Sequence, residues 1–197
     1  MKKAIPFLIL AALLIGCSED NTTQPTPEPE PIQPITAGNY WTFDIELYDD
    51  DSVLIARSFD SISISGPEFI EGVAWFGYGV QKKLRTDEMG LHIRRLNREG
   101  LWLKYPASVG ETYLTRDVEF TNTVDTLRAE LVSVDEEISV PAGTFTCYRY
   151  TFTDVGREVV VYDHYYAPGI GPVLLLKKNP FDGTLIVQRL ASYQIEE

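Results

Sequence analysis

The side chains best suited to acid–base or metal chemistry are the two histidines, His92 and His164. Neither has further ligands at the spacing of a zinc site. His164 stands among three tyrosines and next to Asp163, but strand alternation puts neighbouring residues on opposite faces, which argues against an Asp-His dyad. We therefore interpret His164 as a polar member of a packed aromatic strand, and we predict no metal site.

Carboxylates are plentiful, and Asp49-Asp50-Asp51 raises the question of a calcium site. No glycine or distal glutamate completes a loop of the EF-hand kind, so we interpret the run as a solvated turn. The chain also contains no Gly-x-Ser-x-Gly elbow, phosphate-binding loop or dinucleotide fingerprint. We expect no catalytic residue, no cofactor and no enzymatic activity, and a hydrolase is the least favoured alternative.

The other reactive group is Cys17, which ends an N-terminal targeting segment. Lys2 and Lys3 precede an apolar run over residues 4–15, followed by Gly16 and Cys17. This layout is typical of a secretory signal peptide, and the run is too short for a membrane-spanning helix. Leu14-Ile15-Gly16-Cys17 is similar to the bacterial lipobox.

The lipobox resemblance implies that Cys17 becomes the multiply acylated first residue of the mature protein. More than one acyl chain is needed for a stable anchor, and a multiply acylated Cys17 meets that need. The protein would therefore contact the membrane through this lipid. The resemblance also implies that an aspartate after the cysteine would favour the inner membrane, and Ser18 stands there instead. We predict a bacterial envelope lipoprotein of the outer membrane, facing the periplasm or the cell surface.

The only other cysteine is Cys147, which cannot form an intramolecular disulfide once Cys17 is acylated. A lone thiol in an oxidising compartment is safest in the core. We predict that Cys147 is buried and unreactive.

Composition divides the chain into three parts. Residues 1–16 are the predicted signal peptide, and residues 17–36 combine the lipidated cysteine with five prolines among polar residues. Such a stretch buries too little apolar surface to fold alone, so it reads as an extended tether of about 3 Å per residue. Residues 37–197 form the predicted single β domain, which is long enough for one core.

The charge of the chain limits its partners. The net charge is −12, and it becomes −14 once Lys2 and Lys3 leave with the signal peptide. A strongly acidic protein repels phosphates, so we expect no nucleic acid partner. Against this background six basic residues cluster in one stretch, which we interpret as a solvated sheet face or a guarded edge, with an anion or lipid-headgroup site as the alternative. They are Lys82, Lys83, Arg85, Arg94, Arg95 and Arg98.

Period-two patterns dominate the domain. Trp41, Phe43, Ile45 and Leu47 alternate with more polar residues, as in a half-buried strand. Threonine, valine, isoleucine and tyrosine are frequent, and no window keeps a helical spacing of apolar residues over three turns. The sequence predicts a mainly antiparallel all-β domain of about ten strands, as a curved sheet, a sandwich or a partly closed barrel with few or no helices.

Two turns are the most distinctive motifs, VPAGTF from Val140 and YYAPGIG from Tyr165. With them the chain resembles a family of uncharacterised bacterial lipoproteins, over about residues 100–195. That resemblance implies a secreted β domain, and a more distant one to the open half-barrels of the lipoprotein-carrier class (LolA/LolB-like) is noted. It implies no catalytic residue.

Aromatic density suggests where a ligand would bind. Several strands are apolar on both faces, so a second sheet, loops, a partner or a ligand must cover them. The first hypothesis is a half-barrel interior that holds a lipid or another apolar ligand, and the second is a filled core with a surface patch or sheet edge that docks an envelope protein. For the first, the predicted ligand contacts are Trp75, Phe76, Tyr148, Tyr150, Phe152, Tyr162 and Tyr166.

Overall fold

A computed structural model describes residues 29–118 and 126–196. It contains twelve strands: β1 (Tyr40–Tyr48), β2 (Leu54–Ile70), β3 (Val73–Tyr78), β4 (Lys82–Asp87), β5 (Gly90–Arg95), β6 (Arg98–Lys104), β7 (Thr112–Arg116), β8 (Thr126–Val140), β9 (Gly143–Asp154), β10 (Val159–Ala167), β11 (Gly171–Lys178) and β12 (Leu185–Gln194). Within the described residues no helix has the length and apolar character to cross a membrane.

All twelve strands form one antiparallel sheet in the order β6-β5-β4-β3-β2-β1-β12-β11-β10-β9-β8-β7. The first and last of the described strands, β1 and β12, pair with each other, with Phe43 opposite Leu190. The sheet curls until its two edge strands, β6 and β7, come together as a nearly closed barrel. The all-β, mainly antiparallel prediction is confirmed, and the architecture is the partly closed barrel.

Side chains join β6 and β7 at this seam, where the sheet has no continuous ladder. The Tyr113 hydroxyl donates to the Trp102 carbonyl at 2.7 Å and accepts from the Lys104 amide at 3.2 Å. Gly100 permits the approach, since a Cβ there would lie 2.6 Å from the Thr115 Oγ1 atom. Tyr113 thus replaces the missing main-chain bonds at this point.

The alternation predicted for β1 directs its apolar residues into the barrel. Trp41 and Phe43 are fully buried, in a core to which nearly every strand contributes. Cys147 on β9 is also fully buried, as predicted. Asp163 and His164 lie on opposite faces of β10, because Asp163 forms a two-pronged ion pair with the outward-facing Arg149 and His164 faces the core aromatics.

The segment before β1 closes one end of the barrel. Ile32, Gln33 and Pro34 are buried. The Gly169 amide donates to the Pro31 carbonyl at 2.8 Å, so the YYAPGIG turn between β10 and β11 holds this segment in place. We call this the plugged end. Residues 29–36 therefore contact the barrel, although composition groups them with the tether.

The opposite end is the mouth, and there β2 extends past its neighbour β3. Pairing with β3 covers only Ile64 to Ile70, so residues 54–62 pair with β1 alone among the described strands. The sheet therefore has a side gap beside the mouth.

Candidate ligand cavity

A cavity of about 270 Å³ lies inside the barrel toward the mouth. Its wall comes from strands β1 to β6 and β10 to β12. The lining residues are Ile45, Asp60, Ile62, Tyr78, Lys82, Ile93, Trp102, Tyr162, His164, Tyr166, Leu175, Lys177, Ile186 and Gln188.

One wall of the cavity is a cluster of rings. Around the His164 imidazole, Trp102, Phe152 and Tyr162 have centroids at 5.4, 5.3 and 5.3 Å. Trp102 stacks on Phe152 at 4.8 Å with 24° between the ring planes. These contacts fix the rings in place, so the wall is rigid and preformed.

Polar groups are placed within this wall and at its margin. The Tyr162 hydroxyl donates to the carboxylate of the fully buried Asp117, at 3.1 Å to Oδ1. The Lys177 ammonium lies 5.8 Å from the centroid of the Tyr162 ring. The cavity therefore combines apolar walls with a few charged or hydrogen-bonding groups, as small-molecule sites commonly do.

The structure separates the seven predicted ligand contacts into three groups. Tyr162 and Tyr166 line the cavity. Tyr150 and Phe152 are fully buried core residues, and Tyr148 packs beside that core with its ring 5.5 Å from Tyr105. Contact of any of these residues with a ligand stays a prediction.

The remaining two predicted contacts are neighbours on β3 and face opposite ways. Phe76 packs against the core, whereas Trp75 lies on the outer face beneath the guanidinium groups of Arg85 and Arg94, 5.1 and 5.9 Å from its ring centroid. Trp75 is nonetheless only 2% exposed. A single interior cannot contain both side chains, because successive residues of a strand alternate between faces.

The basic cluster on β4–β6 is divided in the same way. Arg85 pairs with Asp87 and Glu99, and Lys83 pairs with Glu68, all on the outer face. Lys82 instead lines the cavity. Lys83, Arg85 and Arg94 thus form a charge-balanced outer face with Glu68, Asp87 and Glu99. Arg95 and Arg98 instead share the inward face of Lys82, and their guanidinium groups donate to the carbonyls of Val118 and Asp117.

His92 lies in that outer network. Its Nδ1 atom is 3.2 Å from Arg85 Nη2 and its Nε2 atom is 3.0 Å from Asp87 Oδ1. Because a guanidinium only donates, Nδ1 accepts and the Nε2–H donates. Burial alone would raise the pKa of Asp87, but the hydrogen bonds from Arg85, the Met89 amide and His92 lower it overall. Among the described residues no three histidine, cysteine or acidic side chains are grouped as a metal site.

Sequence reasoning missed four residues of the cavity: Asp60, Trp102, Lys177 and Gln188. It named Lys82 only within the basic cluster, for which an anion or lipid-headgroup site was the alternative interpretation. The alternation of inward and outward residues along each strand could have identified the two lysines. Lys82 stands two residues from the core residue Leu84, and Lys177 stands two residues from Leu175, so each lysine shares a face with an inward residue. Cys17 lies outside the described residues.

Comparison with known proteins gives distant likenesses only. No protein-family model and no curated protein matches the chain. A solved structure from Bacteroides fragilis, described as an exported protein with a YmcC-like fold, has a TM-score of 0.47 at 14% identity and covers 84% of this chain and 100% of its own. Another, from Parabacteroides distasonis and described as a lipoprotein, has a TM-score of 0.39 at 15% identity, covering 85% and 100%. Both are too distant to assign a function here.

Proposed function

We propose that this chain is a non-catalytic lipoprotein of the bacterial envelope that binds a small apolar or amphiphilic molecule in the mouth of its barrel. The observation that carries the binding proposal is the 270 Å³ cavity, with its rigid aromatic wall and few polar groups. The N-terminal motif ending in Cys17 carries the anchoring proposal.

The volume limits what the cavity holds. Ligand sites for drug-sized molecules span about 300–1,000 Å³, so this one lies just below that range. Toward the plugged end the barrel interior is filled by core residues such as Trp41 and Phe43. The space of about 640 Å³ at that end is a more open groove between residues 29–32 and Gly90, Tyr105 and Pro106. A single ring or a short chain fits the 270 Å³ cavity, and a whole diacyl lipid does not. The proposed ligand is therefore smaller than the cargo of a lipoprotein carrier.

The place where the N-terminal segment joins the barrel indicates how the cavity would be oriented relative to the membrane. Residues 29–36 lie at the plugged end, against the turn at Gly169 and near Gly90. The cavity opens at the other end, close to Lys177 and Ile186. An anchor at Cys17 would thus tether the plugged end, and ligands would enter from the aqueous side.

Native mass spectrometry of the full-length protein, extracted from bacterial envelopes in mild detergent, tests ligand binding. We expect a bound species of a few hundred daltons. Leu175→Phe should remove it by filling the cavity, whereas Leu174→Phe, on the neighbouring residue of the opposite face, should retain it. A mass of the apoprotein alone in the wild type would contradict the proposal, and so would equal retention by both variants.

A docking function is the second candidate, favoured by the unpaired edge of β2. The Ile64 amide bonds toward β1 and the Ser63 carbonyl toward β3. By alternation the main-chain groups of Arg57 and Phe59 point away from β1, where no described strand pairs with them. Phe59 is also 87% exposed. Such an edge accepts an added strand, here an extended segment of another envelope protein.

Crosslinking in intact cells tests the docking candidate. Phe59→Lys should abolish a specific crosslinked partner, because lysine on an open edge opposes strand addition. Phe69→Lys is the matched control, since Phe69 is 73% exposed but its part of β2 already pairs with β3. A partner lost equally in both variants, or in neither, would rule out docking at this edge.

A further inference from the structure

The charged residues of the cavity wall differ in sign from the protein as a whole. Lys82, Lys177 and Asp60 line the cavity from β4, β11 and β2, which gives the wall two ammonium groups and one carboxylate. The full chain has a net charge of −12. The buried Asp117 carboxylate behind Tyr162 adds a second negative charge, and Arg95 and Arg98, on the same inward face as Lys82, add two positive ones. The cavity and its surroundings are thus net positive in a strongly acidic protein, which attracts a negatively charged group.

The lysines lie in the apolar pattern of their strands. Each takes the inward position at which the same strand otherwise places a leucine, Leu84 on β4 and Leu175 on β11. A lysine at an inward position costs desolvation unless the charge is hydrated or paired. Both lysines also interact elsewhere within the chain, so a ligand anion would share them with those groups.

We propose that the ligand is a small amphiphile with one carboxylate, whose head group binds Lys82 and Lys177. Its apolar body would lie against Leu175, Ile186 and the Trp102 ring, which line the same cavity. Asp60 repels a second negative charge, so the site favours a monoanion over a dianion. This inference rests on the proposed ligand-binding function.

Three eight-carbon probes of equal chain length separate the contribution of the head group to the affinity from that of the apolar body. They are octanoate, 1-octanol and octylamine. Calorimetric titration of the full-length protein should show octanoate binding at least about tenfold tighter than octanol, since charge-assisted hydrogen bonds are the stronger ones. Octylamine should bind most weakly. Suberate, the eight-carbon dicarboxylate, should bind more weakly than octanoate.

The double variant with Lys82→Met and Lys177→Met should bind octanoate as weakly as octanol, and its affinity for octanol should be unchanged. Lys83→Met is the matched control, because Lys83 adjoins Lys82 but pairs with Glu68 on the outer face. Circular dichroism melting checks that each variant folds. If the double variant keeps the same preference for octanoate as the wild type and Lys83→Met, the inference is wrong.

Failure of this inference is distinguishable from failure of the proposed function. Equal binding of octanoate and octanol by the wild type would overturn the anionic head group and leave apolar ligand binding standing. Binding of neither probe, together with an apoprotein mass in native spectra, would overturn both.

Discussion

Tyr113 shows how one side chain completes a fold whose sheet does not close by main-chain pairing alone. Its hydroxyl donates a hydrogen bond to the Trp102 carbonyl and accepts one from the Lys104 amide. Burial raises the pKa of Tyr113 well above its ordinary value of 10.0, so the hydroxyl keeps the proton that it donates. The seam therefore depends on a neutral phenol at this position.

Tyr113→Phe should lower the free energy of unfolding by about 1–3 kcal/mol, because two partly buried main-chain groups would lose their partner. Urea denaturation followed by circular dichroism measures the loss. Tyr40→Phe is a suitable control, since the Tyr40 side chain is exposed on the outer face. Equal stabilities for wild type and Tyr113→Phe would show that the seam is held by other contacts.

Cys147 should be inert in the folded protein. Burial raises the pKa of its thiol to about 12, so almost no thiolate forms near neutral pH. We expect alkylation by iodoacetamide at pH 8 to be slow in the native protein and fast in urea. Mass spectrometry of the peptide that contains Cys147 follows the reaction, and rapid native labelling would contradict this burial.

For single residues, the sequence predicted which face of its strand a side chain occupies better than it predicted the function of that side chain. Period-two alternation placed Trp41 and Phe43 inward and separated Asp163 from His164. Alternation also implies that Trp75 and Phe76 cannot face the same interior. The density of aromatic residues, taken alone, does not show this. The burial of Trp75 depends on Arg85 and Arg94 from neighbouring strands, and no local pattern in β3 reveals those contacts.

Among the elements, the link between β6 and the loop before β7 is sensitive to acid. Glu111 accepts hydrogen bonds from the Lys104 ammonium and from the Ser108 amide. The lysine, followed by the amide, lowers the pKa of Glu111 below its ordinary value of 4.5. A carboxyl whose pKa is lower in the folded state stabilises the fold above its unfolded pKa and loses that effect as the pH falls through the folded value.

Glu111→Gln should therefore flatten part of the decline in stability below about pH 4.5. Urea midpoints measured from pH 7 to pH 3 for both proteins test this. The difference between wild type and variant should be largest at pH 7 and shrink toward pH 3. A difference that stays constant across the range would assign the effect to something other than the charge of Glu111.

Strand existence was accessible from the sequence, but pairing partners were not. The alternation in β1 and the turn chemistry before Gly143 and Gly171 mark strands and reversals locally. The pairing of β1 with β12 joins residues at opposite ends of the domain, and the approach of β6 to β7 depends on curvature summed over the whole sheet. The side gap at β2 follows from those same long-range constraints.

The whole molecule combines an anchor predicted from the sequence with a cavity seen in the structure. Cys17→Ser should release the protein from membranes, since each acyl chain contributes about 0.8 kcal/mol per buried methylene and no other anchor is proposed. Fractionation of cells that produce each form tests this. Membrane retention of the serine variant would contradict lipid anchoring at Cys17.

The central claim is that the mouth of the barrel holds a small amphiphile, and isoleucine methyl groups report on it directly. Ile45, Ile62, Ile93 and Ile186 line the cavity, whereas Ile32 lies at the plugged end and Ile138 lies elsewhere beside the core. In methyl-labelled full-length protein, octanoate should shift the resonances of the first four and leave those of Ile32 and Ile138 unchanged. Unchanged cavity methyls at saturating octanoate, or shifts confined to residues outside the cavity, would contradict the claim.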